Sequence, residues 1–226
     1  MTKFPLYIFL SALLILFFSA CARLPEYARP QFSPEDYAVS TANSFAYRQL
    51  EVEDFRAPSL PPKFQQFNHS IQARSCISVQ TSPNSQIQIA SGTISGKIIY
   101  TGKFANISFI AVFNPDCSWW NPKITPEKKN YILQHEQIHF ALTELTARRL
   151  NRYYKGHMEQ FTAIGSTLEE VKKQLHAEAE RVSREGVEEA LDEHTSFDEE
   201  TSLFYFETRY NKKAVNPVQW KYGTKQ

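Results

Sequence analysis

The chain changes from the two-residue period of strands to the longer period of helices near its middle. β-branched and aromatic residues are concentrated in four runs, at 71–79, 87–90, 97–101 and 106–113. Residues that are typical of turns lie between these runs. In the last run every second position is apolar, as in a strand with one buried face; these residues are Ile107, Phe109, Ala111 and Phe113. The four runs predict a small, mostly antiparallel sheet.

Two long stretches after the sheet have the period of helices instead. The first begins at Thr125, a good N-cap, and stays compatible with a helix to Lys155, before Gly156 as a natural stop. The second runs from Thr167 to about His194 with an apolar stripe at three-four spacing, which consists of Leu168, Val171, Leu175, Ala179, Val182, Gly186 and Ala190. His194 continues this stripe, which is unusual for a polar residue. The predicted fold is therefore α+β, a small sheet followed by two long helices.

The first twenty residues have the features of a targeting segment. Lys3 precedes a nearly unbroken apolar run, Leu6 to Phe18, which is short for a membrane span. Phe18-Ser19-Ala20-Cys21 resembles a bacterial lipobox, in which the chain is cut before Cys21 and that cysteine carries the lipid. Ala22 then argues against retention in the inner membrane, so we expect a lipoprotein of the outer membrane that faces the periplasm. A plain signal peptide or an uncleaved anchor is the alternative.

These features divide the chain into three parts. Residues 1–20 form the predicted lipoprotein signal peptide, residues 21–63 a proline-rich tether and extended wrap, and residues 64–226 one catalytic domain. A cut before Cys21 leaves 206 residues, which is enough for one domain with a core. It also leaves 24 basic and 24 acidic residues, and this balance does not favour a nucleic-acid partner.

Two cysteines remain in the predicted mature chain, Cys76 and Cys117. In an oxidising envelope compartment the simplest expectation is one disulfide between them. Two free, buried thiols are the alternative.

The first long helix contains the sequence His135-Glu136-Gln137-Ile138-His139. Histidines four residues apart lie one turn apart on the same face of a helix, where both imidazoles can bind one Zn²⁺ ion. A glutamate directly after the first histidine can act as the general base of a metallohydrolase, because it reaches the attacking water without binding the metal. This HExxH pattern predicts Glu136 as catalytic residue and His135 and His139 as metal ligands. Ordinary histidines on a partly buried helix face are the alternative.

A catalytic zinc site needs a third protein ligand. Glu144 is close in sequence but points to another side of the helix, so a role at the surface or in a hydrogen bond fits it better. The cluster of His194, Asp198, Glu199 and Glu200 follows the second helix and can return to the first one. Within this cluster His194 is the first choice, because of its place on the stripe, and Glu200 the second.

The motif helix resembles a bacterial envelope family that is catalogued as domain of unknown function 922. The similar segments are the HExxH motif with the following Thr143-Glu144 and Ala147-Arg148-Arg149-Leu150, together with Ser118-Trp119, Phe197-Asp198-Glu199-Glu200-Thr201 and Gln219-Trp220. The resemblance implies a minimal zincin-like domain and zinc peptidase activity. At Leu203, however, the family has a histidine that is its natural third ligand. Either His194 or Glu200 completes the site, or metal binding is weakened or lost.

The resulting hypothesis is a zinc-dependent peptidase, a hydrolase that is tethered in the bacterial cell envelope and acts on a peptide or protein there. The oxyanion of its reaction could be stabilised by Tyr205, Arg209 or Tyr210. Substrate would add as a strand to the sheet edge near 106–113. The alternative is a catalytically inactive lipoprotein of the same fold that binds an envelope partner, and Leu203 is the residue that favours it.

Overall fold

The computed structural model describes residues 43–201, and the fold is given for that part of the chain. Its eight strands are β1 (Phe45–Ala46), β2 (Ala73–Arg74), β3 (Ile77–Thr81), β4 (Gln86–Ile94), β5 (Lys97–Asn106), β6 (Phe109–Phe113), β7 (Trp119–Trp120) and β8 (Thr162–Gly165). Its three α-helices are α1 (Pro126–Tyr153), α2 (Lys155–Gln160) and α3 (Leu168–Thr201). The predicted α+β class is confirmed. None of the helices at 43–201 is long and apolar enough to cross a membrane.

The strands form three small antiparallel sheets. Their orders are β1-β6-β3, β2-β7 and β4-β5-β8. Strand β6 is central in its sheet, whereas β3 pairs with β6 alone among the described strands. Strand β8 was not predicted, because four residues are too short for a visible period, and its pairing with β5 depends on residues far away in sequence.

The N-terminal segment packs into the first of two hydrophobic clusters. Phe45, Tyr47 and Phe55 pack with Phe113 of β6 and Phe140 of α1. The segment is also tied to the motif helix by a buried amide. The Gln137 side chain accepts from the backbone N–H of Leu50 at 2.6 Å and donates to the carbonyl of Arg48 at 3.2 Å. The motif helix is therefore held from the side opposite to α3.

The second cluster joins α3 to β5 and to the later half of α1. Gly102 and Gly186 permit close contacts there. A Cβ atom at Gly102 would lie 2.4 Å from Cγ1 of Val171, and one at Gly186 would lie 2.7 Å from Cδ2 of Leu150. These contacts bring the end of α3 alongside the motif of α1.

The ends of both long helices differ from the prediction. Helix α1 ends at Tyr153, and Gly156 is not a stop, since it lies inside the short helix α2. Helix α3 continues past His194 to Thr201, because Phe197 and Thr201 extend its buried stripe. This extension decides the geometry of the site described below.

The structure joins Cys76 and Cys117 in a disulfide, with their Cα atoms 5.8 Å apart. Cys76 directly precedes β3, and Cys117 ends a short 3₁₀ turn at Pro115–Cys117. The bond therefore fixes the start of β3.

Several residues that the sequence singled out lie outside the described range. They are Cys21, Leu203, Tyr205, Arg209, Tyr210 and Trp220.

Candidate metal centre

The two histidines of the motif meet on one face of α1. Thr125 is the N-cap of this helix and Pro126 its first residue, which suits the fixed backbone angle of proline. His135 and His139 are four positions apart on the helix, and their Nε2 atoms lie 3.1 Å apart. The predicted placement of the two imidazoles on one face is confirmed.

Asp198 of α3 completes a three-membered group. Its Oδ1 atom is 3.1 Å from Nε2 of His135 and 2.9 Å from Nε2 of His139. A tetrahedral zinc ion with ligands at about 2.0–2.1 Å separates neighbouring ligand atoms by about 3.3 Å, so only a small outward shift would admit an ion. Three ligands also leave a fourth position open. His135, His139 and Asp198 therefore fit a metal ion.

The donor set does not identify the metal. Two imidazoles and a carboxylate bind zinc in catalytic sites, and the same set holds ferrous iron in non-haem enzymes. What the geometry establishes is a group that could bind a metal ion.

His194, the first choice for the third ligand, lies behind His139 and not in the group of three. Its Nδ1 atom is 3.0 Å from Nδ1 of His139, the nitrogen on the other side of the ring from Nε2. The two rings are parallel within 2°, with centroids 5.2 Å apart. Asp198 takes the position that the sequence suggested for His194, because it follows one helical turn later on the same face of α3.

Glu200, the second choice, is exposed and lies outside the group of three. Two residues correspond to about 200° of helix rotation, so Glu200 points away when Asp198 points towards α1. The sequence places Asp198 in the candidate cluster. Because the helix is predicted to end at about His194, however, the sequence does not show that Asp198 faces α1. Continuing the three-four spacing through Phe197 and Thr201 would have shown its direction.

Thr201 and Phe197 support His135 from α3, a role that the sequence does not predict for either residue. The Thr201 hydroxyl, which is fully buried, lies 3.0 Å from Nδ1 of His135 and donates to the carbonyl of Phe197 at 2.6 Å. The Phe197 ring stacks on His135 with centroids 4.7 Å apart. Tyr131 of α1 donates its hydroxyl to the carbonyl of Thr201, and burial raises the pKa of Tyr131 to about 12, which keeps that proton in place.

Glu136 lies beside the metal group without joining it. Its side chain is buried, with only 7% of the residue exposed, yet it lines the cleft. Its Oε2 atom accepts a hydrogen bond of 2.5 Å from the hydroxyl of Ser75, between β2 and β3. One carboxylate oxygen is therefore held by Ser75, which sets the direction in which the carboxylate faces.

The charges of the group are coupled. Burial opposes ionisation of Asp198, but hydrogen bonds from His135 and His139 outweigh it and hold the pKa of this carboxyl below its ordinary value. Burial also lowers the pKa of His139, while the hydrogen bond and the charge of Asp198 outweigh that effect and raise it. Burial and the neighbouring His139 lower the pKa of His194 to about 4, so that His194 is neutral near pH 7.

The group lies in an open cleft with a volume of about 460 Å³. Helix α1 forms its floor, residues 73–78 form one wall, and residues 187–198 of α3 form the other. The predicted substrate edge near 106–113 is wrong, because β5 and β6 are both central strands. Among the described strands, β3 is an edge strand of its sheet, and it lines the cleft through Ile77 and Ser78.

Two further polar residues of the helices, Glu144 and His157, have partners elsewhere. Glu144 accepts a hydrogen bond of 2.8 Å from Arg148, its neighbour one turn on, which agrees with the expected role in a hydrogen bond. His157 of α2 lies 3.0 Å from Glu178 in the first half of α3.

Comparison of the chain with protein-family models, with curated proteins and with solved structures found no match. The resemblance to domain of unknown function 922 therefore stays a prediction.

Proposed function

We propose that this protein is a metal-dependent peptidase, with zinc as the expected ion. The observation that carries the proposal is the position of Glu136, a buried carboxylate held by Ser75 beside the group of His135, His139 and Asp198. A metal-binding group alone would fit storage or transport. A separate carboxylate that faces the same cleft supplies the general base that hydrolysis needs.

Each residue then has a role in the reaction. His135, His139 and Asp198 would hold the ion, which when bound supplies a Lewis acid that polarises a carbonyl and makes water more acidic. Glu136 would take a proton from the attacking water and deliver it to the leaving amine as the peptide bond breaks. Ser75 would orient Glu136 through the bond to Oε2.

The shape of the cleft supports a peptide as substrate. An extended peptide could pair with the edge of β3 that no described strand occupies, which runs along the wall at Ile77 and Ser78. The opposite wall, on α3, carries Val187 and Leu191, two apolar side chains that are 43% and 60% exposed. Backbone pairing on one side and apolar contact on the other suit a chain of amino acids better than a small polar molecule.

The test combines metal content with one substitution. We expect the purified protein to contain about one zinc per chain and to cleave unfolded protein or a peptide library. Glu136→Gln should keep the metal and lower kcat by about 10²- to 10⁴-fold, since only the proton acceptor is removed.

Three outcomes would contradict this assignment. An active, metal-loaded Glu136→Gln protein would remove Glu136 from the mechanism. Bound zinc without hydrolysis of any peptide would favour the inactive binding module. Ferrous iron as the bound metal would favour the other chemistry of this donor set.

We further propose that Cys21 carries the lipid that tethers the peptidase in the bacterial envelope. The support is the apolar run and the small residues before Cys21. Cys21→Ala should move the chain from the membrane fraction to the soluble fraction of cells. An unchanged distribution would mean that Cys21 is not the anchor.

A further inference from the structure

Two residues of helix α3 besides Asp198 contact the metal group. His194, one turn before this residue, and Thr201, almost one turn after it, each contact the Nδ1 atom of a different ligand imidazole. We propose that His194 and Thr201 are positioning residues that fix the tautomers of His139 and His135, so that both Nε2 lone pairs face the metal. The inference rests on the metal group of the proposed function but not on hydrolysis.

The direction in which the Thr201 hydroxyl donates its proton determines which ring nitrogen of His135 is protonated. A hydroxyl has one proton to donate, and Thr201 donates it to the carbonyl of Phe197 at 2.6 Å. The contact of 3.0 Å between Thr201 and Nδ1 of His135 must then take its proton from the imidazole. When a metal ion takes the place of the hydrogen bond between Nε2 and Asp198, His135 therefore keeps its one proton on Nδ1 and directs the Nε2 lone pair to the ion.

The pair of His139 and His194 also has a single proton for its hydrogen bond. Two Nδ1 atoms at 3.0 Å share one proton between them. A His139 that binds metal through Nε2 must hold that proton on Nδ1 and donate it, so His194 accepts through its own Nδ1 lone pair. His194 is then neutral with its proton on Nε2, and it belongs behind the ligand instead of in the coordination sphere.

One helix thus supplies a ligand and two acceptors in successive turns. Asp198 faces both Nε2 atoms, while His194 and Thr201 hold the opposite nitrogens. Hydrogen bonds of this kind orient the ring and raise the basicity of a ligand histidine, and losing one typically lowers metal affinity about 10- to 100-fold.

The experiment measures the zinc affinity of the purified full-length chain by competition with a chromophoric chelator. His194→Leu should weaken binding about 10- to 100-fold, whereas His194→Asn should stay near wild type, because an amide oxygen can replace the Nδ1 acceptor. Thr201→Val, which has the same shape without the hydroxyl, should weaken binding to a similar degree, and Thr201→Ser should restore it.

Imidazole N–H signals in ¹H–¹⁵N spectra of the zinc-loaded protein provide a readout that a general structural role would not change. Wild type should show slowly exchanging Nδ1 protons for both His135 and His139. Thr201→Val should lose the protection of the His135 proton alone, and His194→Leu that of the His139 proton alone. Melting curves of each variant identify losses that come from unfolding.

The outcomes separate this inference from the proposed function. Equal losses of zinc in His194→Asn and His194→Leu would overturn it, since they would make His194 a ligand or a packing residue. Wild-type affinity in a folded Thr201→Val protein would overturn the role of Thr201. A wild-type chain that binds no divalent metal would overturn both the inference and the proposed peptidase.

Discussion

The identity of the third ligand depends on one carboxylate among several acidic residues at the end of α3. Asp198 has 52% of its side chain exposed, which would be ordinary for a surface aspartate. Its distinction is that one oxygen lies 3.1 Å or less from the Nε2 atoms of two histidines on another helix. The sequence could predict His135 and His139 from their spacing alone, because both lie on one helix. It could not predict Asp198, since that contact depends on how far α3 extends and how it packs.

A pair of substitutions two residues apart tests this assignment. Asp198→Ala should lose stoichiometric zinc, because two imidazoles alone bind the ion weakly. Glu200→Ala is the matched control and should keep it, since the residue is exposed on the other side of the helix. Metal analysis after dialysis measures both. Loss of zinc with Glu200→Ala alone would restore the ligand that the sequence suggested as the second choice.

At the scale of elements, the site is placed by how closely α3 packs on the sheet and on α1. The apolar stripe of α3 was predictable, and six of its seven residues are buried; Leu168, at the first turn, is 41% exposed. The order of the strands was not predictable, because antiparallel pairing joins residues that are distant in sequence and the alternation marks only which face is buried. The alternation along 106–113 therefore does not reveal that β6 is central, or that β3 is an edge strand among the described strands.

The contact between β5 and α3 gives a prediction about stability. Gly102→Ala would place a methyl group 2.4 Å from Val171 and 3.2 Å from Leu175, both almost fully buried. Overpacking of this kind should lower the free energy of unfolding by about 1–3 kcal/mol. Gly92→Ala in the neighbouring strand is the control, since nothing lies within 4 Å of its added methyl group, and it should change stability by less than about 0.5 kcal/mol. Denaturant titration compares the two; equal effects would mean that β5 and α3 are less tightly packed.

In the described part of the molecule, charged side chains join separate helices at the metal group, between Arg149 of α1 and Glu193 of α3, and around Glu178 of α3. Glu178 accepts hydrogen bonds from Arg181 at 2.6 and 2.9 Å and lies 3.0 Å from Nε2 of His157 on α2. This network lies on the second hydrophobic cluster, away from the cleft. It can therefore be altered to examine the stability of the fold without touching the ligands.

The pH dependence of stability should report on this network. Hydrogen bonds from Arg181 lower the pKa of Glu178 to about 2; burial opposes this shift, and His157 adds to it. A carboxyl whose pKa is lower in the folded state stabilises the protein above its unfolded pKa of about 4.3, and this stabilisation is lost as the pH falls towards 2.

Glu178→Gln should therefore lower the free energy of unfolding at pH 7 by about 1–2 kcal/mol, with a smaller difference from wild type at pH 3. Glu169→Gln is the control on the same helix. Its carboxyl pairs with Lys172 at 3.1 Å but is 82% exposed, so its removal should cost less than about 0.5 kcal/mol at either pH. Urea titrations at several pH values measure both. If the difference in unfolding free energy between Glu178→Gln and wild type stays constant from pH 7 to pH 3, the carboxylate charge does not join α2 to α3. Packing around Met158 and Val182 would then hold these helices together.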